Sequence, residues 1–566
     1  MQTQKNCLGK GILLCFSMLV ILMQAAAQGK YPMEPALVEA GIKELASSKV
    51  SMVTSAHPFA TNAGLEMLRR GGNAMDAAIA ATMVVAVLDA GLTSLGGGAQ
   101  LTYYQAKTKK TAVINLEPNS FREDVMPYNP ERDNHTGRSI RVPGSFAGLH
   151  LAVKRYGALP WKDVVEPASF YADNGFPLYG AAYDAVRRNY ETLTLHSAAR
   201  GLFAPDGFLP PVGAIFKQAD LADTLRKVGE RGPDYFYKGP FAEEMVKAIR
   251  DIGGKASLED FSNYRALELE PIRGTYHGYE LAGPPPPATG IVSIIEGLNI
   301  LENVDLKTMG HYSQSADSMQ WLIETLRVMF NDARKYTGVS ELDRSLGQAL
   351  ISKAYAQKQY EFIRHKIEVT SRQAKEKTQV AWAPSGHAND DPELGTNHVS
   401  VVDKDGNVCS ITNTIYGVVF SYVGVYVRGI LLNGAGIFPS QPGERIVTPM
   451  APLIVFRNDK PYFATGSAGG TLNTFLTALN VLAWGKNFKE AQEAVRLRAP
   501  DLNGEKVFIE HRIEEGVAAE LKKRGYQVEW LAPYSMPNAQ MAGIDPDTGV
   551  RYGAADPRVV GKAAGQ

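Results

Sequence analysis

The spacing of apolar residues changes character several times along the chain, and each change marks an element. Ser51 to Thr54 is a short β-like run, and Ala60 to Arg69 then carries Ala60, Leu65, Met67 and Leu68 at roughly helical spacing. Gly71-Gly72-Asn73 interrupts this, and Ala74 to Val87 is almost wholly apolar and rich in alanine. A helix that is apolar all round belongs in a protein interior. Its length, with Asp76 inside it and Asp89 just past it, argues against a membrane segment. Gly96-Gly97-Gly98 predicts a place where another backbone comes close, just ahead of a strand at Leu101 to Tyr104. Residues 160–380 read as mainly helical, with breaks at Gly207 to Gly213 and Pro284 to Pro287. Within them, Ala316 to Tyr336 is amphipathic, with Met319, Leu322, Leu326 and Phe330 on one face.

Past residue 395 the period shortens to that of strands: Val399 to Val402, Val408 to Thr412, Val425 to Leu432, Leu453 to Phe456 and Tyr462 to Thr465. Helices at Thr471 to Ala483 and Lys489 to Arg496 follow. Asp405-Gly406 predicts a tight hairpin turn with both central residues at positive φ. Strands flanked by helices in both halves predict a mixed α and β fold and fit two sheets stacked between helical layers. The polar stretch Gln373 to Glu393 suits either a plain linker or a segment that must bend.

Composition narrows the function classes. Residues 1–28 hold Lys5 and Lys10, no acid, an apolar run from Gly11 to Met23 and a small-residue exit at Ala25-Ala26-Ala27. That pattern predicts a secretory signal peptide and an exported, periplasmic protein. Cys7 and Cys15 leave with it, so Cys409 stands alone and no internal disulfide can form. Its place on the strand after the hairpin predicts core packing. Basic and acidic residues number 59 each, and loss of the two leader lysines leaves a slight acidic excess. Nothing in that balance favours nucleic acid or an anionic membrane surface, which leaves small-molecule chemistry. No His-Glu-x-x-His or other metal set occurs, and no cofactor is called for. Asp403 to Asn407 opens like a calcium loop but has Val408 and Thr414 where glycine and glutamate belong. The glycine run lacks the lysine and helix of a phosphate-binding loop.

The candidate chemistry lies in Gly395-Thr396-Asn397-His398-Val399-Ser400-Val401-Val402-Asp403, followed by Thr412-Asn413-Thr414. A cut between Gly395 and Thr396 would give Thr396 a free α-amine. That amine, with a pKa of about 8, can serve as general base to the weakly nucleophilic hydroxyl beside it. His398 lies on the same face of the strand, and a Thr-His dyad is geometrically feasible. An orienting role is preferred, because the amine already supplies a base.

At these residues the chain resembles the γ-glutamyltransferase family of N-terminal-nucleophile hydrolases. The resemblance extends over nearly the whole chain beyond the leader. It includes Arg70 to Ala78, Leu95 to Gly98, Val142-Pro143-Gly144, Pro285-Pro286-Pro287 with Asn299 to Asn303, Thr465 to Gly470 and Gly553 to Arg558, in the family's order. It implies an α+β fold, a four-layer αββα sandwich built jointly by two subunits cut from one precursor, residues 29–395 and 396–566, which form a heterodimer. Thr396 is then the nucleophile and Thr414 the residue that polarises its amine. Gly469 and Gly470 supply an oxyanion site, and Arg122 grips a substrate carboxylate. A serine-hydrolase elbow at Gly466 to Gly469 is discounted, since Thr465 stands where glycine is required.

Departures from the family fall on substrate grip. The acidic pair expected after Leu431-Leu432-Asn433 is missing from Gly434-Ala435-Gly436-Ile437-Phe438. The family's asparagine past the second threonine is Tyr416, its paired serines are Thr448-Pro449, and Phe438 to Thr448 leaves little room for a lid. The expectation is a self-processing γ-glutamyl hydrolase or transferase acting on amides such as glutathione, with hydrolysis favoured. Two alternatives stay open: an amidase or acylase for dicarboxylic monoamides such as glutaryl compounds, and an inactive binding protein on the same fold.

Overall fold

The computed structural model describes residues 31, 40–89, 91–337, 344–376, 394–499 and 504–566. The predicted leader, and the polar stretch from residue 377 to 393, lie outside the described residues.

Two seven-stranded sheets, antiparallel throughout, organise the body from Val38 onward. The first runs Lys562–Gly565, Met52–Ser55, Leu394–Val402, Val408–Val418, Gly98–Gln105, Lys110–Leu116, Leu267–Leu269. The second runs Ala46–Ser48, Arg551–Ala555, Ala539–Ile544, Lys460–Ser467, Leu453–Arg457, Tyr279–Gly283, Ile272–Tyr276. They pack face to face, with helices Pro58–Arg69, Ala74–Leu88 and Ser145–Tyr156 against the first. Gly290–Leu301, Thr471–Trp484 and Phe488–Glu493 cover the second. This is the expected αββα sandwich. The Ala74–Leu88 helix is buried on every face, as its composition requires.

The interior between the sheets is graded. At one end Met52, Tyr104, Val402, Val408, Ile454, Phe456, Ala464 and Ala542 form an apolar cluster. Toward the other end the inward residues of the central hairpin turn polar, as Ser400 faces Ser410, His398 faces Thr412, and Thr396 faces Thr414. These hydroxyls are not orphaned. Ser410 Oγ donates to the Thr465 carbonyl at 3.3 Å and Thr102 Oγ1 to that of Pro452 at 2.7 Å, so the two sheets are bonded through their side chains. A buried hydroxyl without such a partner would cost about 1–3 kcal/mol.

Three expectations need correction. The Asp405-Gly406 turn has positive φ only at Gly406 (84°). The loop is instead organised by Asp403, whose carboxylate accepts the N–H groups of Asp405 and Asn407, both at 2.9 Å, and that of Ala74 at 2.9 Å. It thus also caps the Ala74–Leu88 helix, where negative charge is favoured. The single strand expected at Val425 to Leu432 is a small hairpin, Tyr426–Val427 against Ile430–Leu431, turning at Arg428 (φ 46°) and Gly429 (φ 79°). Finally, the region read as mainly helical contains strands Leu267–Leu269, Ile272–Tyr276 and Tyr279–Gly283, which supply edges of both sheets. Ile272 and Tyr276 point inward while Arg273 and Thr275 face out, a two-residue period too short to stand out among helices.

Candidate active site

The site is assembled at the polar end of the central hairpin. Thr414 is placed by the glycine run. Gly98 pairs with Thr414 in the sheet, and a Cβ on Gly97 would lie 2.0 Å from the Thr414 carbonyl oxygen. On Gly96 a Cβ would lie 2.1 Å from that of Leu431. No side chain fits between these backbones, so the run is needed for close approach.

Across the hairpin, Thr396 Oγ1 donates to Thr414 Oγ1 at 3.0 Å. The Thr414 hydroxyl in turn donates to the carbonyl oxygen of Gly395, the residue just ahead of Thr396. Thr414 Oγ1 also accepts the Tyr416 N–H at 2.9 Å, which fixes its proton on the Gly395 side. The strand pairing is irregular between Leu394 and Thr396, so the Gly395–Thr396 bond sits on a bulge. A Cβ on Gly395 would meet the Leu92 carbonyl oxygen at 2.4 Å. Gly395→Ala therefore displaces the bond from the hydroxyl pair. Misplacement of about 1 Å can cost 10²-fold, and fragment formation in a time course should slow by roughly that factor.

The neighbours of Thr396 are held from both sides. Asn397 donates its side-chain N–H to Asp89, which also receives the Tyr179 hydroxyl. Burial raises the Asp89 pKa, opposed by those two hydrogen bonds. His398 places Nδ1 2.8 Å from Thr412 Oγ1 and Nε2 2.9 Å from Ser400 Oγ. Both ring nitrogens are thus engaged away from Thr396, and burial lowers the His398 pKa to about 3, keeping the ring neutral. Cys409 is buried, with its thiol pKa pushed up by the same cause.

Gly466 packs against His398, where a Cβ would lie 2.3 Å from Nδ1. Three residues on, Gly469 (φ 73°) and Gly470 (φ 61°) turn the chain into the Thr471–Trp484 helix. Their N–H groups have no acceptor among the described residues. Ser467, by contrast, is spent on the Gly470 carbonyl at 2.7 Å and on Thr474 Oγ1 at 3.0 Å. The turn is anchored from behind, since Ala468 N–H donates to Asn538 at 2.9 Å and Ala539 N–H to Asp556 at 2.7 Å. Asp556 lies in a buried network with Arg496 (2.5 Å) and Arg558 (3.2 Å), and Glu510 bonds Arg558 at 2.5 Å. Asp556→Ala would strand the buried Arg496 guanidinium and leave Arg558 with Glu510 as its carboxylate. It should lower unfolding free energy by about 3–5 kcal/mol in denaturant titrations.

Of the residues expected to touch substrate, two converge and one does not. The Tyr416 phenol and the Thr448 hydroxyl both donate to the carboxylate of Glu117, at the end of the Lys110–Leu116 strand. Tyr416 is in the left-handed region (φ 64°), a strained backbone for tyrosine that costs on the order of 1–3 kcal/mol. Thr448-Pro449 reaches back to the glycine turn, where a Cβ on Gly470 would sit 2.9 Å from the Pro449 oxygen. Arg122 stands apart. Its guanidinium, 43% exposed, is paired with Glu259 at 2.6 Å and Asp260 at 3.2 Å. Those acids are not Glu123 or Asp124, its sequence neighbours. Glu117, Asp89 and Asn397 were not singled out from the sequence. The one available signal was an acid closing an apolar strand, between Leu116 and Pro118.

The comparisons with known proteins bear on this geometry. The family model described as gamma-glutamyltranspeptidase matches residues 60–566, which hold six of the seven strands of each sheet and every residue of the site. The chain belongs to that family. It is 31% identical over 583 residues to the glutathione hydrolase proenzyme of Escherichia coli (strain K12), covering 96% of both chains. It is also 30% identical to the acylase ACY 1 proenzyme of Pseudomonas sp. (strain SE83), covering 86% of this chain and 88% of that one. Among solved structures it resembles the cephalosporin acylase from Bacillus halodurans, with a TM-score of 0.79 and 26% identity over 92% of this chain and 97% of that chain. The gamma-glutamyltranspeptidase fold is therefore carried by the whole body described above. It has the N-terminal-nucleophile hydrolase architecture, and the protein is an enzyme of that class. Among the described residues no helix is long and apolar enough to cross a membrane, and no group of three metal-binding side chains occurs.

Proposed function

We propose that the chain is exported, cuts itself between Gly395 and Thr396, and then hydrolyses or transfers γ-glutamyl groups from amides such as glutathione. The observation that carries this reading is the file of three oxygens: Thr396 Oγ1, Thr414 Oγ1 and the Gly395 carbonyl. In the cutting step Thr396 Oγ1 adds to the Gly395 carbonyl carbon. Its proton passes to Thr414 Oγ1, whose own proton moves to the carbonyl oxygen. Collapse passes that proton to the nitrogen, breaks the Gly395–Thr396 amide and leaves an ester, with the nitrogen becoming the free amine of Thr396. Water then hydrolyses the ester, releasing the Gly395 carboxyl group and restoring the hydroxyl.

The catalytic cycle reuses the same oxygen. The Thr396 amine takes the hydroxyl proton as Oγ1 attacks the donor's side-chain amide, and passes it to the departing amine. The unpaired N–H groups of Gly469 and Gly470 lie at a helix N-terminus, where an oxyanion is favoured. Each such donor is worth about 3–4 kcal/mol in hydrolases. Water or a second amine releases the acyl group.

Residues 29–395 and 396–566 would remain joined as a heterodimer after the cut. Their strands alternate in both sheets, with three borders between the two pieces in the first sheet and two in the second. Separation would tear open both sheets. The resemblance to acylases favours a second reading, an acylase of dicarboxylic monoamides, which the acid-free stretch Gly434 to Phe438 also suits. Incubation with a γ-glutamyl anilide, quenched in acid and mapped by mass spectrometry, tests the nucleophile. An acyl group on the peptide beginning at Thr396 is expected. Turnover with the adduct on any other residue contradicts the reading.

A further inference from the structure

The buried carboxylate beside Tyr416 and Thr448 has no use in the steps above. Glu117 is 1% exposed, and none of its contacts is an ion pair among the described residues. Oε2 accepts the Tyr416 hydroxyl, while Oε1 accepts Thr448 and, at 3.3 Å, the Gln100 amide. A carboxylate offers about four acceptor positions, so one remains, on Oε2. The nearby cation is spent elsewhere. Arg445 Nη1 donates to the Glu117 backbone carbonyl at 2.9 Å and to the Tyr264 hydroxyl at 2.7 Å. Tyr264 also donates to that carbonyl, at 2.8 Å. Glu117 is joined to the reacting pair through one residue, since the Tyr416 N–H bonds Thr414 Oγ1 at 2.9 Å.

We propose that Glu117 is the specificity-determining residue for the acyl donor, receiving a primary ammonium group on the acyl chain. The proposal rests on the reading of Thr396 as nucleophile and deepens it by naming the donor class. An unpaired buried carboxylate is costly, and an ammonium placed at its open position would supply the missing counter-charge. The absence of acid after Asn433 thus does not leave the pocket without one, because the Lys110–Leu116 strand brings an acid in from some 300 residues away. Arg122, already held by Glu259 and Asp260, gives no comparable reason for a donor defined by a carboxylate alone.

Burial raises the Glu117 pKa to about 7, opposed by the hydrogen bonds from Thr448, Tyr416 and Gln100 and by the charge of Arg445. Tyr416 and Tyr264, the titratable groups facing it, have pKa values raised by burial and stay neutral through that range. Ammonium binding should therefore strengthen as pH rises through about 7.

The test compares a γ-glutamyl anilide with the glutaryl anilide of the same length, which lacks only the amine, on the processed protein. Wild type is expected to favour the amino donor. Glu117→Gln should lower kcat/KM for that donor by about 30-fold or more, chiefly through KM. Its loss on the glutaryl compound should be at least tenfold smaller. Glu117→Asp should recover part of the preference. In wild type the ratio of the two kcat/KM values should climb through about pH 7, since titration of the Thr396 amine affects both donors alike and cancels. A wild-type preference for the glutaryl donor, equal losses on both donors, or a ratio flat with pH overturns the proposal. Failure of both donors in a processed wild-type protein would instead refute the reading of Thr396.

Discussion

Thr396→Ala should purify as one uncut chain and show no measurable amide hydrolysis. The hydroxyl is needed twice, first on the Gly395 carbonyl and then on the donor. Alanine at this position has no atom to add to either. Removing the nucleophile of a hydrolase typically lowers turnover on the order of 10⁶-fold, and the uncut chain also lacks the amine that would serve as base. The fold should survive. Among the described residues Thr396 makes one side-chain hydrogen bond, to Thr414, so the stability change should be about 1 kcal/mol. Circular dichroism and thermal melting check that point, and denaturing electrophoresis reads the cut. Normal division of this variant would remove Thr396 from the chemistry.

Thr414→Val should have the second largest effect, and on the cutting step first. Valine keeps the shape but removes the hydroxyl that bonds the Gly395 oxygen and accepts from Thr396. One donor to a developing oxyanion is worth about 3–4 kcal/mol, or 10²–10³-fold in rate. The proton relay between the two hydroxyls is lost as well. The Tyr416 N–H also loses its acceptor, which adds a stability cost of about 1–3 kcal/mol. Thr414→Ser keeps the hydroxyl and should divide at a rate much closer to wild type. The rate of fragment formation in freshly refolded protein distinguishes the three. Equal rates for the valine and wild-type chains would show that Thr414 does not polarise the bond.

Much of this arrangement was legible in the residues, and what was hidden has physical reasons. The central hairpin declared itself because Val399, Val401, Cys409 and Ile411 keep a two-residue period on either side of Asp405-Gly406, though the polar residues between them are buried as well. The buried helix Ala74–Leu88 was equally plain from composition. The turn between the hairpin strands was misjudged because Asp403, not Asp405, takes up the loop's N–H groups, and a carboxylate's reach is not written in turn propensities. Of the short strands from Leu267 to Gly283, Leu267–Leu269 and Tyr279–Gly283 join their sheets through partners far along the chain, and Ile272–Tyr276 is an edge paired with Tyr279–Gly283. Glu117 is hidden in the sequence for a related reason. Its partners Tyr416 and Thr448 are about 300 residues away, and locally it is only the residue before Pro118. Arg122 fits a local pattern, while Glu259 and Asp260 reach it only through folding.

The most direct measurement is the mass and N-terminal residue of the smaller species in the purified wild-type protein. The account predicts a fragment beginning at Thr396 and ending at Gln566, co-eluting under native conditions with the piece that ends at Gly395. A chain still continuous at that bond, yet active on amides, would contradict it.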